Sequence, residues 1–315
     1  MIVLRSIRDL TSGEELFTPN LSILLAEILG AACVFSLLAF TNHMARCMRA
    51  ETLIESIFED LKSTANRLYP EVATEETDTS LQQRQDWPTI ENGKELRTRH
   101  VGYLQAVDLT SLVHIAEEHD LRFEIQRSPG DFVYSHGLLL TADVRRWSPK
   151  KKNPTDSERQ EEWKPLESRI RSCFLIGMVR TPRQDIEAGL MELVEAGVRA
   201  LSPGVNDPTT AINSIDYLTS TLCDLAKRNW PRAMLADSHD IPRLLSPHPS
   251  FSDILGTAFD QLRQFSAGMV AVQCRLLDGM EMIAYAAPRL EDRQAVRRQA
   301  EMILRHAEKH IDEPN

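Results

Sequence analysis

Residues Leu21 to Phe40 read LSILLAEILGAACVFSLLAF, an apolar run interrupted only by Ser22, Glu27 and Ser36. A helix rises about 1.5 Å per residue, so this run matches a hydrocarbon core of roughly 30 Å. It predicts a membrane-spanning helix over residues 21–40, with a larger polar region behind it. The alternative is a buried core helix. A cleaved signal peptide fits poorly, because the run starts late and no A-x-A-like site follows it.

One ionisable side chain, Glu27, lies inside the apolar run. A charged carboxylate near mid-bilayer is costly, so we expect Glu27 to face other helices or a water-filled path, or to be protonated. The alternative is a shallow position that reaches the headgroups. Arg46 and Arg49 follow the run closely, whereas Arg5 and Arg8 precede it beside acidic residues. The positive-inside rule therefore predicts a cytoplasmic C-terminal side.

The composition excludes several classes of protein. The 315 residues carry a net charge of −10, with a pI near 5.5, which argues against a nucleic-acid partner. The five cysteines are widely spaced and form no C-x-x-C pair: Cys33, Cys47, Cys173, Cys223 and Cys274. This pattern is typical of reduced thiols in a cytosolic region and gives no reason to expect a zinc site.

The chain is predicted to be α+β and mainly α. One N-terminal membrane helix precedes a small α+β unit with hairpin strands and then a helical C-terminal region. The expected segments are an N-terminal segment 1–20, the membrane helix 21–40, a juxtamembrane helix 41–70, a linker 71–96, the α+β unit 97–146, a charged connector 147–167 and a mainly helical domain 168–315.

Strand-like alternation marks the α+β unit. Strands are predicted over 100–107 and 121–127, with a helix between them that begins after Asp108 or Thr110. The segment 128–131 (SPGD) predicts a turn, and Gly137 predicts a second turn between short strands at 132–133 and 138–140.

Proline-led helix starts mark the C-terminal region. Residues 170–179 predict a buried strand or the start of a helix. Thr181 is the expected N-cap of the next helix, with Pro182 at its first position and Gln184 completing a capping box. That helix should end near Leu201. A second helix should start at Asp207, and two or three more should occupy 251–310.

The most distinctive local sequence is SPGVNDPTT, residues 202–210. Its prolines fix the backbone, Gly204 can take a positive φ, and Asp207 can accept amides of the following helix. A rigid corner between two helices is one interpretation. The other is a polar ligand site, with a supporting shell upstream, formed by Asn206, Asp207, Thr209, Thr210, Arg180, Gln184 and Asp185. Because Asp207 would repel an anion, a cation, amide or hydroxyl ligand suits it better than phosphate.

Several strings in the chain resemble a known family. They are RT-x-x-QD (180–185), ALSPGVNDPTTA (200–211), PGDFV (129–133), and FTPNLSI (17–23) and HMAR (43–46) on either side of the apolar run. Together they are similar to the predicted bacterial membrane proteins of domain of unknown function 2254. The resemblance implies about four membrane helices, of which this chain holds the last, then a cytosolic region. It implies location in the bacterial inner membrane but no particular activity.

Other motifs are absent or incomplete. No lysine lies between Val101 and Pro149, so the PGDFV turn is not that of a biotinyl or lipoyl carrier. His114 and His119 are five residues apart and do not form H-E-x-x-H. The sequence has no P-loop, no G-x-G-x-x-G and no G-x-S-x-G. We expect no metal, no cofactor and no catalytic set.

Three functions remain. The favoured one is a non-enzymatic membrane protein whose cytosolic region senses an unknown small ligand or ion, or gates a membrane path. The second is a membrane-tethered enzyme that uses Arg180, Asp185, Asn206 and Asp207 for acid–base chemistry. The third is a structural module that forms a homo-oligomer through residues 41–69. In each case the lipid bilayer is an expected partner.

Overall fold

The computed structural model describes residues 20–47, 50–70, 87–90, 93–147 and 155–310. The chain divides into two units, Met1–Leu53 and Ile54–Asn315. The predicted N-terminal segment, most of the 71–96 linker and Lys150 to Lys152 lie outside the described residues.

The first unit contains a long apolar helix, α1 (Asn20–Cys47). Its window Leu24–Thr41 has a mean hydropathy of 2.1, and none of it is buried within the chain. By length and composition this helix can cross a membrane, as the sequence predicts. The basic residue Arg49 lies between the described residues of α1 and the next helix.

A second helix, α2 (Ala50–Leu68), begins three residues after α1 ends. It is amphipathic: Ile54, Ile57, Leu61 and Ala65 recur at helical spacing and are buried. The helix ends just before Pro70, where the sequence predicts its end. The second unit starts within α2, at Ile54.

The larger core of the second unit is helical. The apolar face of α2 joins five more helices: α5 (Ile186–Ala200), α6 (Pro208–Ala226), α7 (Phe251–Phe265), α8 (Val270–Ala286) and α9 (Leu290–His310). Helix α6 packs on α5 and α8, and α9 packs on α7 and α8. At Gly197 of α5 a Cβ would crowd Leu262 and Ser214, so the glycine permits this close packing.

Two small sheets and two helices form the second core. The five-stranded sheet has the order β1-β5-β3-β8-β7 and the three-stranded sheet the order β4-β2-β6. The strands are β1 (Lys94–Arg97), β2 (Gly102–Val107), β3 (Arg122–Ile125), β4 (Phe132–Val133), β5 (Leu138–Asp143), β6 (Phe174–Gly177), β7 (Met234–Ala236) and β8 (Pro242–Leu245). The helices are α3 (Leu109–Glu118) and α4 (Asp156–Ser172).

Strands β3 and β8 run parallel to each other, and β5 runs antiparallel to β3. The register pairs Arg122 with Asp143 at one end of the sheet. It pairs Phe123 with Leu244 across the parallel pair. The N-terminal ends of β3 and β8 and the C-terminal end of β5 therefore lie at the same end of the sheet.

The described part of the chain is α+β and mainly helical, which confirms the predicted class. Three predictions need correction. The Gly137 turn forms, with its amide donating to the Tyr134 carbonyl, but β4 and β5 enter different sheets instead of pairing as a hairpin. A charged connector was predicted over 147–167, but residues 156–172 form α4, because Thr155 and Glu158 make a capping box. The positive φ at the 202–210 corner belongs to Asn206 and not to Gly204.

Candidate functional site

The RT-x-x-QD string ends at the true start of α5. The N-cap is Asp185, whose carboxylate accepts the Ala188 amide at 3.2 Å. The predicted cap at Thr181 is therefore wrong. Residues 181–184 form a turn before the helix, because Asp185 supplies the acceptor that the first helical amides need.

Asp185 also pairs with the arginine of the same string. The Arg180 guanidinium donates to both carboxylate oxygens, with 3.0 Å from Nη2 to Oδ1. Its contact with Glu187 is longer, at 3.6 Å. The Asp185 side chain is only 2% exposed. The hydrogen bonds to Asp185 raise the pKa of Arg180.

Gln184 links the 181–184 turn to the three-stranded sheet through hydrogen bonds. Its Oε1 accepts the Val107 amide at 2.9 Å, and its Nε2 donates to the Val107 carbonyl at 3.2 Å. The side chain thus satisfies both polar groups at the end of β2. This is a second correction to the capping box, in which Gln184 was expected to reach back to its own helix.

The PGDFV string packs directly on this pair. Gly130 has a φ of +98°, and a Cβ there would collide with the Asp185 carboxylate and crowd Arg180. The Gly130 amide donates to the Leu104 carbonyl at 2.7 Å, which ties the turn to β2. The two strings are 50 residues apart in the sequence, and the fold brings them into contact.

A cavity of about 280 Å³ opens beside these motifs. Its walls come from the end of α2, the start of α3, the 128–131 turn, the start of α5 and the segments around β7 and β8. The lining residues are Arg67, Leu68, Tyr69, Val107, Leu109, Ser128, Pro129, Gln184, Asp185, Ile186, Pro231, Arg232, Leu235, Ser246, Pro247, His248 and Pro249.

The last turn of α2 forms one wall of this cavity. Arg67 donates to the Pro182 and Arg183 carbonyls, at 3.3 and 2.9 Å. Tyr69 is 3% exposed, and burial, with the nearby Glu187 and Asp185 carboxylates, raises its pKa. The phenol is therefore neutral and can serve as a hydrogen-bond donor at physiological pH.

Arg228, at the end of α6, holds this end of α2 in place. Its guanidinium donates to the Tyr69 carbonyl at 2.8 Å and to the Asn66 side-chain oxygen at 2.6 Å. Arg228 is only 4% exposed. No sequence motif marks Arg228, because a single arginine after a helix carries no signal that it contacts a segment about 160 residues earlier.

The 202–210 corner forms a capped helix start. Asp207 is the N-cap of α6, and its carboxylate accepts the Thr210 amide at 3.1 Å and the Thr210 hydroxyl at 2.6 Å. These hydrogen bonds lower the pKa of Asp207. Asn206 has a φ of +48° and is exposed, as is Thr209. Asp207 and Thr210 therefore serve to cap α6, whereas Asn206 and Thr209 are exposed to solvent.

The fold separates the seven candidate residues into two groups. Arg180, Gln184 and Asp185 lie at the N-terminal end of α5. The corner lies beyond its C-terminal end, and a helix of 15 residues spans about 22 Å. Residues 202–210 take no part in lining the 280 Å³ cavity. Arg180, Gln184 and Asp185 therefore do not support a site at Asn206 and Asp207.

The residues that line the cavity include both apolar and polar side chains. The Asp185 carboxylate already accepts bonds from Arg180 and Ala188, so it serves to position its neighbours. Apolar side chains and prolines make up nine of the seventeen lining residues, and polar or charged side chains make up the other eight. Among the described residues, no group of three or more His, Cys, Asp or Glu side chains could hold a metal ion.

Glu27 lies within the apolar window of α1, and its side chain is exposed. Its expected environment, another helix or a water-filled path, stays a prediction.

An apolar helix able to cross a bilayer, followed by an α+β region, defines a membrane-anchored protein. The chain belongs to the family of predicted membrane proteins called domain of unknown function 2254 (DUF2254), whose model matches residues 1–282.

Relatives in the curated proteins include uncharacterized proteins of Mycobacterium bovis and Mycobacterium tuberculosis. Each is 26% identical over 296 residues, which is 94% of this chain and 54% of the relative. The chain thus spans about half the length of the curated relatives it matches. No solved structure matches.

Proposed function

We propose that this protein is a ligand sensor of the bacterial inner membrane, with its C-terminal unit in the cytoplasm. A small molecule would bind in the cavity at the end of α2, and α2 would transmit its presence toward the membrane helix. The observation that carries this proposal is the position of α2, which supplies Arg67 and Leu68 to the cavity wall and is followed there by Tyr69.

The connection through α2 is direct along the chain. Its apolar face is buried in the helical core, and its final turn is held by Arg228 and by the Arg67 contacts. In sequence it begins three residues after α1 ends. A ligand that changes the packing of the last turn can therefore bias a helix whose other end continues to the membrane segment, either as a signal or as a gate.

The wall chemistry indicates the kind of ligand. Leu68, Leu109, Ile186 and Leu235 present apolar surface, and the prolines make the loops stiff. A volume of about 280 Å³ suits a small molecule. We expect a ligand with an apolar body and several hydrogen-bonding groups, because polar side chains such as Arg67, Gln184 and Ser246 also line the cavity.

The enzymatic alternative has less support. It requires Arg180, Asp185, Asn206 and Asp207 to act together, but these residues lie at opposite ends of α5. Asp185 and Asp207 both serve as helix caps with several hydrogen bonds each.

The assembly alternative also has less support. The apolar residues expected to form an oligomer seam include Ile54, Ile57 and Leu61, which are buried within this chain's own core. A homo-oligomer would need a different surface.

Native mass spectrometry of the full chain released from nanodiscs tests the proposal. Leu235→Trp should fill part of the cavity, whereas Leu235→Met keeps the side-chain volume nearly constant. We expect a co-purifying small molecule on the wild type and on Leu235→Met that is lost from Leu235→Trp.

An unliganded mass for all three proteins would contradict the proposal. Loss of the molecule from Asn206→Ala but not from Leu235→Trp would move the site to the 202–210 corner.

A further inference from the structure

A second cavity lies at the end of the five-stranded sheet where β3 and β8 begin and β5 ends. Its volume is about 310 Å³. All six residues that line it are charged: Asp120, Arg122, Asp143, Arg145, Arg146 and Arg243. The ligand cavity of the proposed function lies past the opposite ends of β3 and β8, so the two sites are distinct.

The sheet topology explains why arginines converge here. Arg122 is the first residue of β3, and its register partner Asp143 is the last residue of β5. Arg243 is the second residue of β8, which runs parallel to β3. Arg145 and Arg146 follow β5 directly. Three neighbouring strands, β5, β3 and β8, thus place charged residues at one end of the sheet.

Two of the four arginines are already paired. Arg145 donates to both oxygens of Asp143, with the shorter Nη2–Oδ2 distance at 2.7 Å. Arg243 is 8% exposed at its side chain and lies between two carboxylates. Its Nη1 donates to Asp120 at 2.6 Å, and its Nε donates to the buried Asp237 at 2.7 Å. These ion pairs orient Arg243, which is buried, and Arg145, which is exposed, in the wall of the pocket.

The other two arginines supply the excess charge. Within the described residues, no hydrogen bond or ion pair joins Arg122 or Arg146 to a carboxylate. Arg122 acts on Asp143 at longer range, where it contributes to lowering the pKa of that carboxyl after the hydrogen bonds from Arg145. The lining carries four positive and two negative charges, and the cluster stays positive when Asp237 behind Arg243 is included.

The pocket is locally positive although the whole chain carries a net charge of −10. Holding two extra arginines beside each other costs repulsion that an anion would relieve. Guanidinium groups match the geometry of phosphate oxygens and bind them bidentately.

We propose that this arginine pocket binds a phosphate group, with Arg122 and Arg146 as its principal donors. The paired arginines Arg145 and Arg243 form part of the pocket wall and add to its positive electrostatic potential. The phosphate can belong to a soluble compound or to the headgroup of an acidic lipid, and both present the same chemistry to the pocket.

Isothermal titration calorimetry of the full chain in neutral detergent tests the site with inorganic pyrophosphate as the probe. Arg122→Gln with Arg146→Gln should weaken binding at least tenfold. Arg127→Gln, an exposed arginine past the other end of β3, is the matched control and should change the affinity less than twofold. The affinity of the wild type should fall as salt rises, with a smaller slope in the double variant.

A second arm uses vesicles that contain phosphatidic acid, with phosphatidylcholine vesicles as the blank. Binding of pyrophosphate but no difference between vesicles identifies a soluble ligand, and a difference that needs Arg122 and Arg146 identifies a lipid headgroup. If the double variant does not fold, Arg146→Gln alone serves, since that side chain is exposed. Absence of binding in both arms, or binding that the variants leave unchanged, overturns the proposal.

Discussion

Asp185 and Asp207 both cap helices in the second unit, and their surroundings differ. Asp185 is buried, pairs with Arg180 and lies under Gly130, whereas Asp207 is partly exposed and bonds only within its own first turn. Asp207 therefore only caps α6, whereas Asp185 caps α5, pairs with Arg180 and packs against Gly130.

This difference predicts unequal costs for removing the two carboxylates. Asp207→Ala should lower the free energy of unfolding by about 1 kcal/mol, the usual value for a lost N-cap. Asp185→Ala should lower it by about 3 kcal/mol, since it also leaves a half-buried arginine without its main partner. Urea denaturation in a fixed detergent measures both. Equal losses would contradict the structural role given to Asp185.

A third carboxylate gives a pH dependence. Burial alone would raise the pKa of Asp237, but hydrogen bonds from Arg243 and from the Ile241 and His239 amides outweigh it and lower the pKa to about 2. Because the pKa is lower in the folded state, this carboxylate stabilises the fold above about pH 4. That contribution should be lost as the pH falls from about 4 toward 2.

Thermal denaturation between pH 6 and pH 2 tests this expectation. Asp237→Asn should lower the melting temperature at pH 6 and flatten its decline in acid. Asp240→Asn, which removes an exposed carboxylate from the same turn, should keep the wild-type profile. A wild-type decline in Asp237→Asn would show that another group governs acid unfolding.

At the scale of elements, α2 belongs to the helical core. Leu61 is 1% exposed and packs where Gly189 lets α5 approach. Leu61→Ala should lower the free energy of unfolding by about 3 kcal/mol through lost burial and a residual cavity. Lys62→Ala, on the exposed face of the same helix, should change it by less than about 0.5 kcal/mol. Similar small effects for both would mean that α2 is only loosely attached.

Long periodic helices and the strands beside clear turn signals could be predicted from the sequence, whereas β7, β8 and α4 could not. The helices at α2, α5, α6 and 251–310 carry clear apolar spacing, and α1 is marked by length alone. Strands β7 and β8 have three and four residues, so their pairing depends on contacts that no local pattern records. Helix α4 was hidden by its charge and by Pro165.

The candidate site was predicted in part. Asp207 was recognised as a cap because Pro208 follows it directly. At 181–185 two residues compete for the N-cap, and the choice of Asp185 depends on Arg180 and the 128–131 turn, which are tertiary contacts. The cavity beside them is lined by segments that range from residue 67 to residue 249 in the sequence. No local motif indicates that these segments come together in the fold.

At the scale of the whole molecule, α1 defines where the protein resides. No residue of its apolar window is buried within the chain, so water would face about 27 Å of apolar helix if no lipid or other helix covered it. After expression in bacteria, the full chain should stay in the membrane pellet after washing at pH 11 and be released only by detergent. Recovery in the alkaline supernatant would contradict an integral membrane protein.

The central claim is that occupancy of the cavity acts on α2, and hydrogen–deuterium exchange tests it most directly. The measurement compares Leu235→Trp, whose side chain partly fills the cavity, with Leu235→Met in nanodiscs. We predict slower exchange in the tryptophan variant at the backbone amides of residues 64–69, with unchanged exchange in α8 as the internal reference. Equal exchange at 64–69 in the two variants would contradict the coupling and leave the cavity without a role in sensing.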